Sequence, residues 1–240
     1  MKKTLFFAAF ILFSTVFVQA QTAEEIVTKH LAATGSDNWA KVNATKMEAT
    51  IASEAAAGMS IAWELTAVRD KSARMNVSVM GMSQAVAING DQGWSTNPFA
   101  GKTDPEPMTA DMVESMKELT DIDGTLVGYK EKGYTIEYVG TEDVEGTEAL
   151  KIKVNKGKKT EYSFFDPATY YEIKRITVEE VDGKSVESAS MYSNFKTQEG
   201  IVLPFSMQQG GGPMGSATIT ITAVTFNPTI DPVIFDMPKK

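Results

Sequence analysis

The sequence predicts a mainly β, α+β chain: about ten antiparallel strands, an N-terminal helix and one helix near mid-chain. Three observations carry this. Apolar and polar residues alternate strictly through most of the chain. Turn signals punctuate these runs at the short spacing of a barrel or sandwich. Only two segments, 22–34 and 109–120, repeat at helical spacing.

Residues 1–20, "MKKTLFFAAFILFSTVFVQA", stand apart. Lys2 and Lys3 precede an apolar run from Leu5 to Val18, and the segment ends on a small residue, Ala20. That is the layout of a cleavable signal peptide, and the run is short for a spanning helix. The mature chain is then 21–240, a length that suits one domain. Its address would be outside the cytoplasm. The chain has no cysteine, so it lacks the residue that a bacterial lipoprotein acylates, and no disulfide staples it. Removing residues 1–20 takes away two lysines and no acid, so the formal charge moves from −8 to −10. An acidic chain without a basic run repels phosphate backbones and anionic membranes, which argues against nucleic-acid partners.

Taken in order, Thr22 and Glu25 form a capping box for the first helix. Ile26, Val27, His30, Leu31 and Thr34 mark its face, and Gly35 its end. The period then changes to two. Met47, Ala49 and Ile51 alternate with Lys46, Glu48 and Thr50. Met59, Ile61, Trp63, Leu65 and Ala67 form a second row, and Ala73, Met75, Val77 and Val79 a third. The phase slips at the turn Met80-Gly81-Met82. "INGDQG" is a hairpin signal, followed by a strand carrying Trp94. Residues 98–107 hold Pro98, Pro105 and Pro107, each without a donor, and read as a connector rather than a ladder strand. Thr109 caps the second helix, whose Met112, Val113, Met116 and Leu119 share a face.

The second half returns to strands. Tyr134, Ile136 and Tyr138 alternate, as do Leu150, Ile152 and Val154; Tyr162 and Phe164 follow. "DPAT" is a type I turn signature. Pro204 in "IVLPFSM" marks an edge or a bulge. Ile219 and Ile221 oppose Thr218, Thr220 and Thr222 in the last strand.

Little in the residues points to catalysis. His30 is the one histidine, and with no cysteine present neither a Cys-His pair nor a usual zinc cluster can be built. His30 reads as a helix-surface or partly packed residue. Asp121 and Asp123 before Gly124 make an ordinary acidic turn, since later calcium ligands are missing. "GGGPMG" is a hairpin tip, with no Lys-Ser/Thr after it. No spacing singles out a carboxylate pair. The expectation is a protein that is not an enzyme and needs no metal or cofactor.

The methionines stand out more. They gather in the first three strands and the mid-chain helix, where they either fill a core or form a soft wall that repacks around apolar guests. On the second reading the cargo-binding set is Met47, Ile51, Met59, Ile61, Trp63, Leu65, Met75 and Val77 on the strands. Met112, Val113, Met116 and Leu119 belong to a lid helix over them.

The phrases "TAEEIVTKHLAATG", "DQGWSTNPFAG", "TEDVEGTEALKIKV", "FDPATYYEIKR" and "VIFDMP" resemble the outer membrane lipoprotein-sorting family, the LolA-like periplasmic carriers. The resemblance spans nearly the whole mature chain. It implies an unclosed, strongly curved antiparallel β-barrel with helices over its open, apolar side. It further implies a non-enzymatic carrier of acyl chains, those of lipoproteins bound for the outer membrane, with transport partners in the inner and outer membranes. An arginine near the lid would control release, and Arg69 and Arg74 stand there by position. Two other functions remain open: a sensor or scaffold of the same fold that binds a protein, and a carboxylate-dependent hydrolase.

Overall fold

The computed structural model describes residues 21–56, 58–181, 183–212 and 215–239. The expected export segment lies outside them, as do Pro213 and Met214 of the expected hairpin tip. Among the described residues no helix is long and apolar enough to cross a membrane.

Among the described residues thirteen strands form one antiparallel sheet. In chain order they are β1 (Ala44–Ser53), β2 (Ile61–Val68), β3 (Ser72–Val79), β4 (Met82–Asn89), β5 (Gln92–Asn97), β6 (Lys102–Pro107), β7 (Thr135–Val144), β8 (Thr147–Asn155), β9 (Lys159–Phe165), β10 (Glu172–Val181), β11 (Lys184–Gln198), β12 (Ile201–Gly212) and β13 (Gly215–Phe226). The spatial order is β6-β5-β4-β3-β2-β1-β13-β12-β11-β10-β9-β8-β7. The sheet curls strongly but does not close, because β6 and β7 remain edges.

Hairpin chemistry explains the register. Gly90 and Asp91 form a two-residue loop between Asn89 and Gln92, with Gly90 at φ +61°. Alternation then sets the faces. Met47 lies opposite Leu65, Leu65 opposite Met75, and Met75 opposite Val86. Ala49, Trp63 and Val77 form the next row, and Ile51, Ile61 and Val79 the third. All three rows face the inner side of the curl. A bulge opposite Glu48 and Ala49 leaves Thr222 unpaired. This extra residue keeps Val224 and Phe226 on the inner side with Ile221, in one cluster with Trp39 and Ile201.

The helix α1 (Ala23–Ala33) carries the expected capping box, Thr22 N–H to Glu25 at 3.1 Å and Glu25 N–H to Thr22 Oγ1 at 3.2 Å. It buries Ile26 and Val27 against Ile152, Val154 and Phe165 on the inner face of β8 and β9. Gly35 ends it with φ +66°, where a side chain would collide with the Gly200 carbonyl. The short helix α2 (Ala110–Met116), capped by Thr109, continues as a 3-10 turn over Lys117–Thr120. It sits on small residues of the other half of the sheet: Val113 packs against Ala67, Ala73 and Ile88. A Cβ at Gly93 would lie 2.9 Å from Met108 Sδ and 3.0 Å from Val113 Cγ2, so only glycine admits α2 at this depth.

Two elements depart from the sequence reading. The proline-rich stretch 98–107 does pair: after a 3-10 turn it forms β6, bonded to β5 at an irregular register. An edge strand uses only one side of its backbone, so Pro105 and Pro107 are tolerated there. Pro204 lies in an interior strand, with no register shift beside it, rather than at an edge or a bulge. It is accommodated because β12 pairs with β13 only from Ser206 onward, so its stretch is bonded on one side only. The unpaired flank lies beside α1, where Val202 N–H donates to Thr34 O at 2.9 Å.

Candidate ligand-binding site

The inner face of β1–β4 brings Met47, Ile51, Ile61, Trp63, Leu65, Met75 and Val77 onto one side of adjacent strands. Ile51 and Ile61 are buried at one end with Ala217. Met47, Trp63, Leu65, Met75 and Val77 are only half-buried, so apolar surface remains open inside the curl. Val113, Met116 and Leu119 from α2 and its following turn cover the opposite end of this wall, beside Leu65. Met59 and Met112 do not join it. Both are nearly half exposed, at 45% and 47%, because Met59 precedes β2 and Met112 points away from the α2 seat.

Beyond α2, residues 121–134 run along the inner face and occupy part of it. Ile122 and Val127 pack on the cluster that includes Met47 and Trp63, while Leu126 joins the α1 cluster. Arg69 anchors this segment. It forms an ion pair with Asp123 and donates from Nη2 to the Trp39 and Val42 carbonyls at 2.9 and 3.0 Å. Lys132 closes the loop on Asp121 at 2.6 Å and Asp123 at 3.0 Å. Burial, together with the neighbouring Asp123, lifts the Asp121 carboxyl to about 6, against the pull of Lys132. Arg74 is elsewhere. It lies on the outer face, its guanidinium 5.5 Å from the Trp94 ring centre, donating to Ile234 O at 3.1 Å.

The inner face of β8–β11 differs in chemistry. Here a register shift between Glu172 and Lys174 adds a residue to β10. Residues three apart in a regular strand face opposite ways; the bulge turns Glu172 and Arg175 inward together. They form a bidentate pair, Nε to Oε1 at 2.9 Å and Nη2 to Oε2 at 2.6 Å. Burial pushes the Glu172 carboxyl up, but the Arg175 charge outweighs this and holds it below the usual carboxylate range. It is therefore no proton donor. Nearby, Glu161 accepts from Thr125 Oγ1 at 2.9 Å and pairs with Lys156 at 2.8 Å. Lys156 also reaches Glu118 at 3.2 Å, and Glu118 reaches Lys159 at 2.9 Å. Ion pairs thus tie the turn after α2 to the opposite half of the sheet.

A cavity of about 270 Å³ opens here between α1, residues 122–127 and β10–β12. His30 lines it, half-buried as the sequence suggests. A larger cleft of about 770 Å³ lies at the rim, among charged residues that include Asp70, Glu118, Lys132 and Glu179. Neither is lined by Met47, Trp63 or Met75. Sequence reasoning does not find the inward polar group of buried Glu161 and half-buried Glu172, Arg175 and Tyr192. "EYSFF" offers Tyr162 and Phe164 as the alternating apolar pair, yet these face outward with Ile176 and Met191. The inward set is Glu161, Ser163 and Phe165. The only signal is negative, in that neither face of this strand or of β10 reads as uniformly apolar.

Several solved structures share this architecture. A LolA superfamily protein from Nitrosomonas europaea matches with a TM-score of 0.57 at 12% identity, over 90% of this chain and 97% of its own. A DUF1329 family protein from Desulfovibrio piger matches at 0.56 and 12%, over 88% and 97%. The chain has a LolA-like fold. A structure described as a putative outer membrane lipoprotein-sorting protein domain, from Vibrio parahaemolyticus, matches at 0.55 and 14%, over 88% and 95%. No family model and no curated protein sequence matches.

Proposed function

We propose that the protein is a non-enzymatic carrier of acyl chains, a lipoprotein's first among them, moving cargo through the periplasm toward the outer membrane. Residues 1–20 direct export, and the absence of cysteine leaves the mature chain unlipidated. The observation that carries the reading is the half-buried row of Met47, Trp63, Leu65, Met75 and Val77 inside the curl. Apolar surface left open under a short lid has a use only if something apolar covers it in turn. Each methylene buried there contributes about 0.8 kcal/mol, so a long acyl chain offers roughly ten kcal/mol before ordering costs. The segment 121–134 is the part that must yield, since Ile122 and Val127 lie against the same cluster. The lid is held both by ion pairs, Arg69–Asp123 and Lys132–Asp121, and by apolar contacts of Val113, Ile122 and Leu126, and it lies over the sheet rather than within its ladder, so it can open without unfolding the strands.

Native mass spectrometry of the protein purified from its own periplasm tests this. The expected result is a chain beginning at Gln21 with a lipid or lipopeptide bound. Protein that carries no adduct and takes up no apolar dye such as N-phenyl-1-naphthylamine overturns it.

A further inference from the structure

The 270 Å³ cavity has two unlike walls. One is apolar, made by Trp39, Ile122, Val127 and Leu203, which belong to the same cluster as Met47 and Trp63. The other is polar, made by Arg175, Glu172, Tyr192 and His30. Its size is just below the usual range for ligand pockets, enough for a small group and not for a whole lipid.

The hydrogen-bonding state of the polar wall can be read group by group. Arg175 spends Nε and Nη2 on Glu172. Its Nη1 donates to no acceptor among the described residues, and 26% of its side-chain surface stays accessible. His30 Nδ1 lies 2.8 Å from the Tyr170 carbonyl, which only accepts, so Nδ1 carries the proton and Nε2 is an acceptor. Burial lowers the His30 pKa, against the charge of Glu172, and keeps the ring neutral. Burial likewise pushes the Tyr192 hydroxyl up to about 12, so it remains a donor. The formal charges cancel or are already engaged. Arg175 is neutralised by Glu172, and Asp123, on the far lip, is held by Arg69 and Lys132. An entering carboxylate would meet two anions and no unpaired cation.

We propose that this cavity is a head-group subsite that takes the uncharged, hydrogen-bonding end of a single-chain amphiphile, of the acylglycerol type. Arg175 Nη1 and the Tyr192 hydroxyl donate to its ester oxygens, His30 Nε2 accepts from its free hydroxyl, and the chain leaves past Ile122 and Val127 toward Met47 and Trp63. The inference rests on the carrier reading and adds to it a class of cargo.

Calorimetric titration of the exported chain with 1-monomyristoylglycerol and with sodium myristate at pH 8 tests it, with N-phenyl-1-naphthylamine as a headless control. The glycerol ester is expected to bind at least about tenfold tighter than the acid, the worth of one or two net hydrogen bonds. Tyr192→Phe keeps the shape of the wall and should erase much of that preference. The double variant Glu172→Gln, Arg175→Gln, which strands no buried charge, should erase more, while dye binding measures the apolar wall in each. If the double variant does not fold, Tyr192→Phe decides alone. Equal binding of ester and acid, or a preference for the acid, overturns the subsite and leaves the carrier standing. So does a preference that survives Tyr192→Phe unchanged, which would make the cavity a hydrated structural void. Failure of all three ligands, the dye included, removes the carrier reading and the subsite with it.

Discussion

The two halves of the inner face are built on the same plan and differ in what they hide. On β1–β4 the inward residues are mainly apolar, and the row Met47, Trp63, Leu65, Met75 and Val77 stays half-open. On β8–β10 the inward residues include Glu161, Glu172 and Arg175, and they are enclosed by α1 and residues 121–134. The first half thus keeps apolar surface accessible at little structural cost. The second half has drawn charges largely out of water and is obliged to keep them paired. The second half should therefore be the less tolerant of losing a side chain, and the first the more adaptable.

The largest test of this contrast removes one member of the enclosed pair. Glu172→Leu removes the bidentate partner of Arg175 and leaves it, among the described residues, only Glu161 at 3.9 Å, and should cost about 3–5 kcal/mol in a denaturant melt. A loss under about 1 kcal/mol would mean the polar half is hydrated and soft. Next, Phe165→Ala in the second half should cost about 3–5 kcal/mol, since Phe165 is fully buried. Met75→Ala, half-open in the first half, should cost less than about 1 kcal/mol while weakening uptake of an apolar dye. Equal losses would erase the contrast. For the lid, Val113→Asp puts a charge into the α2 seat and should cost about 2–3 kcal/mol or free 110–120 to hydrogen exchange. Met112→Asp, at the neighbouring position on the exposed side, should stay within about 0.5 kcal/mol.

The smallest test is pH. His30 has a lowered pKa in the folded chain, so the unfolded state takes up its proton first. His30's contribution is present above 6.5 and fades as the pH falls through the folded value. Asp121 has the opposite sign. Its folded value of about 6 lies above 3.8, so its contribution is complete at low pH and is lost as the pH rises through 6. Between pH 7 and pH 5, amide exchange corrected for its intrinsic rate should rise in α1 and fall in 121–134. Changes of the same sign in both would mean the two groups are not separately buried.

The first half is legible in the sequence because each strand obeys one period and one face is uniformly apolar. Alternation alone puts Met47, Leu65 and Met75 on a common face, and the register sets them side by side. The capped helices are legible from Thr22, Glu25 and Thr109. What escapes depends on irregularity. Nothing in "YEIKR" announces the bulge that turns Glu172 and Arg175 to one side. Nor can the spacing of residues 98–107 show that an edge lies within reach, so β6 reads as a connector. The cavity needs both the bulge and the return of 121–134 across the sheet, a contact between distant parts of the chain.

The strand order has a consequence for assembly. Every neighbouring pair joins strands consecutive in sequence except β1 with β13. Each half is accordingly a meander that local hairpins can build, and among the described strands the one pairing between remote parts of the chain is the seam between β1 and β13. Short-range closure should come early and the seam late. The strap from β6 to β7 then links the two meanders by their outer edges while the seam joins them at the centre. A backbone cut at Gly124 would separate the chain into two fragments, each a complete meander apart from the borrowed seam and α1. Expressed together, such fragments should find one another through the β1–β13 ladder and restore the curl.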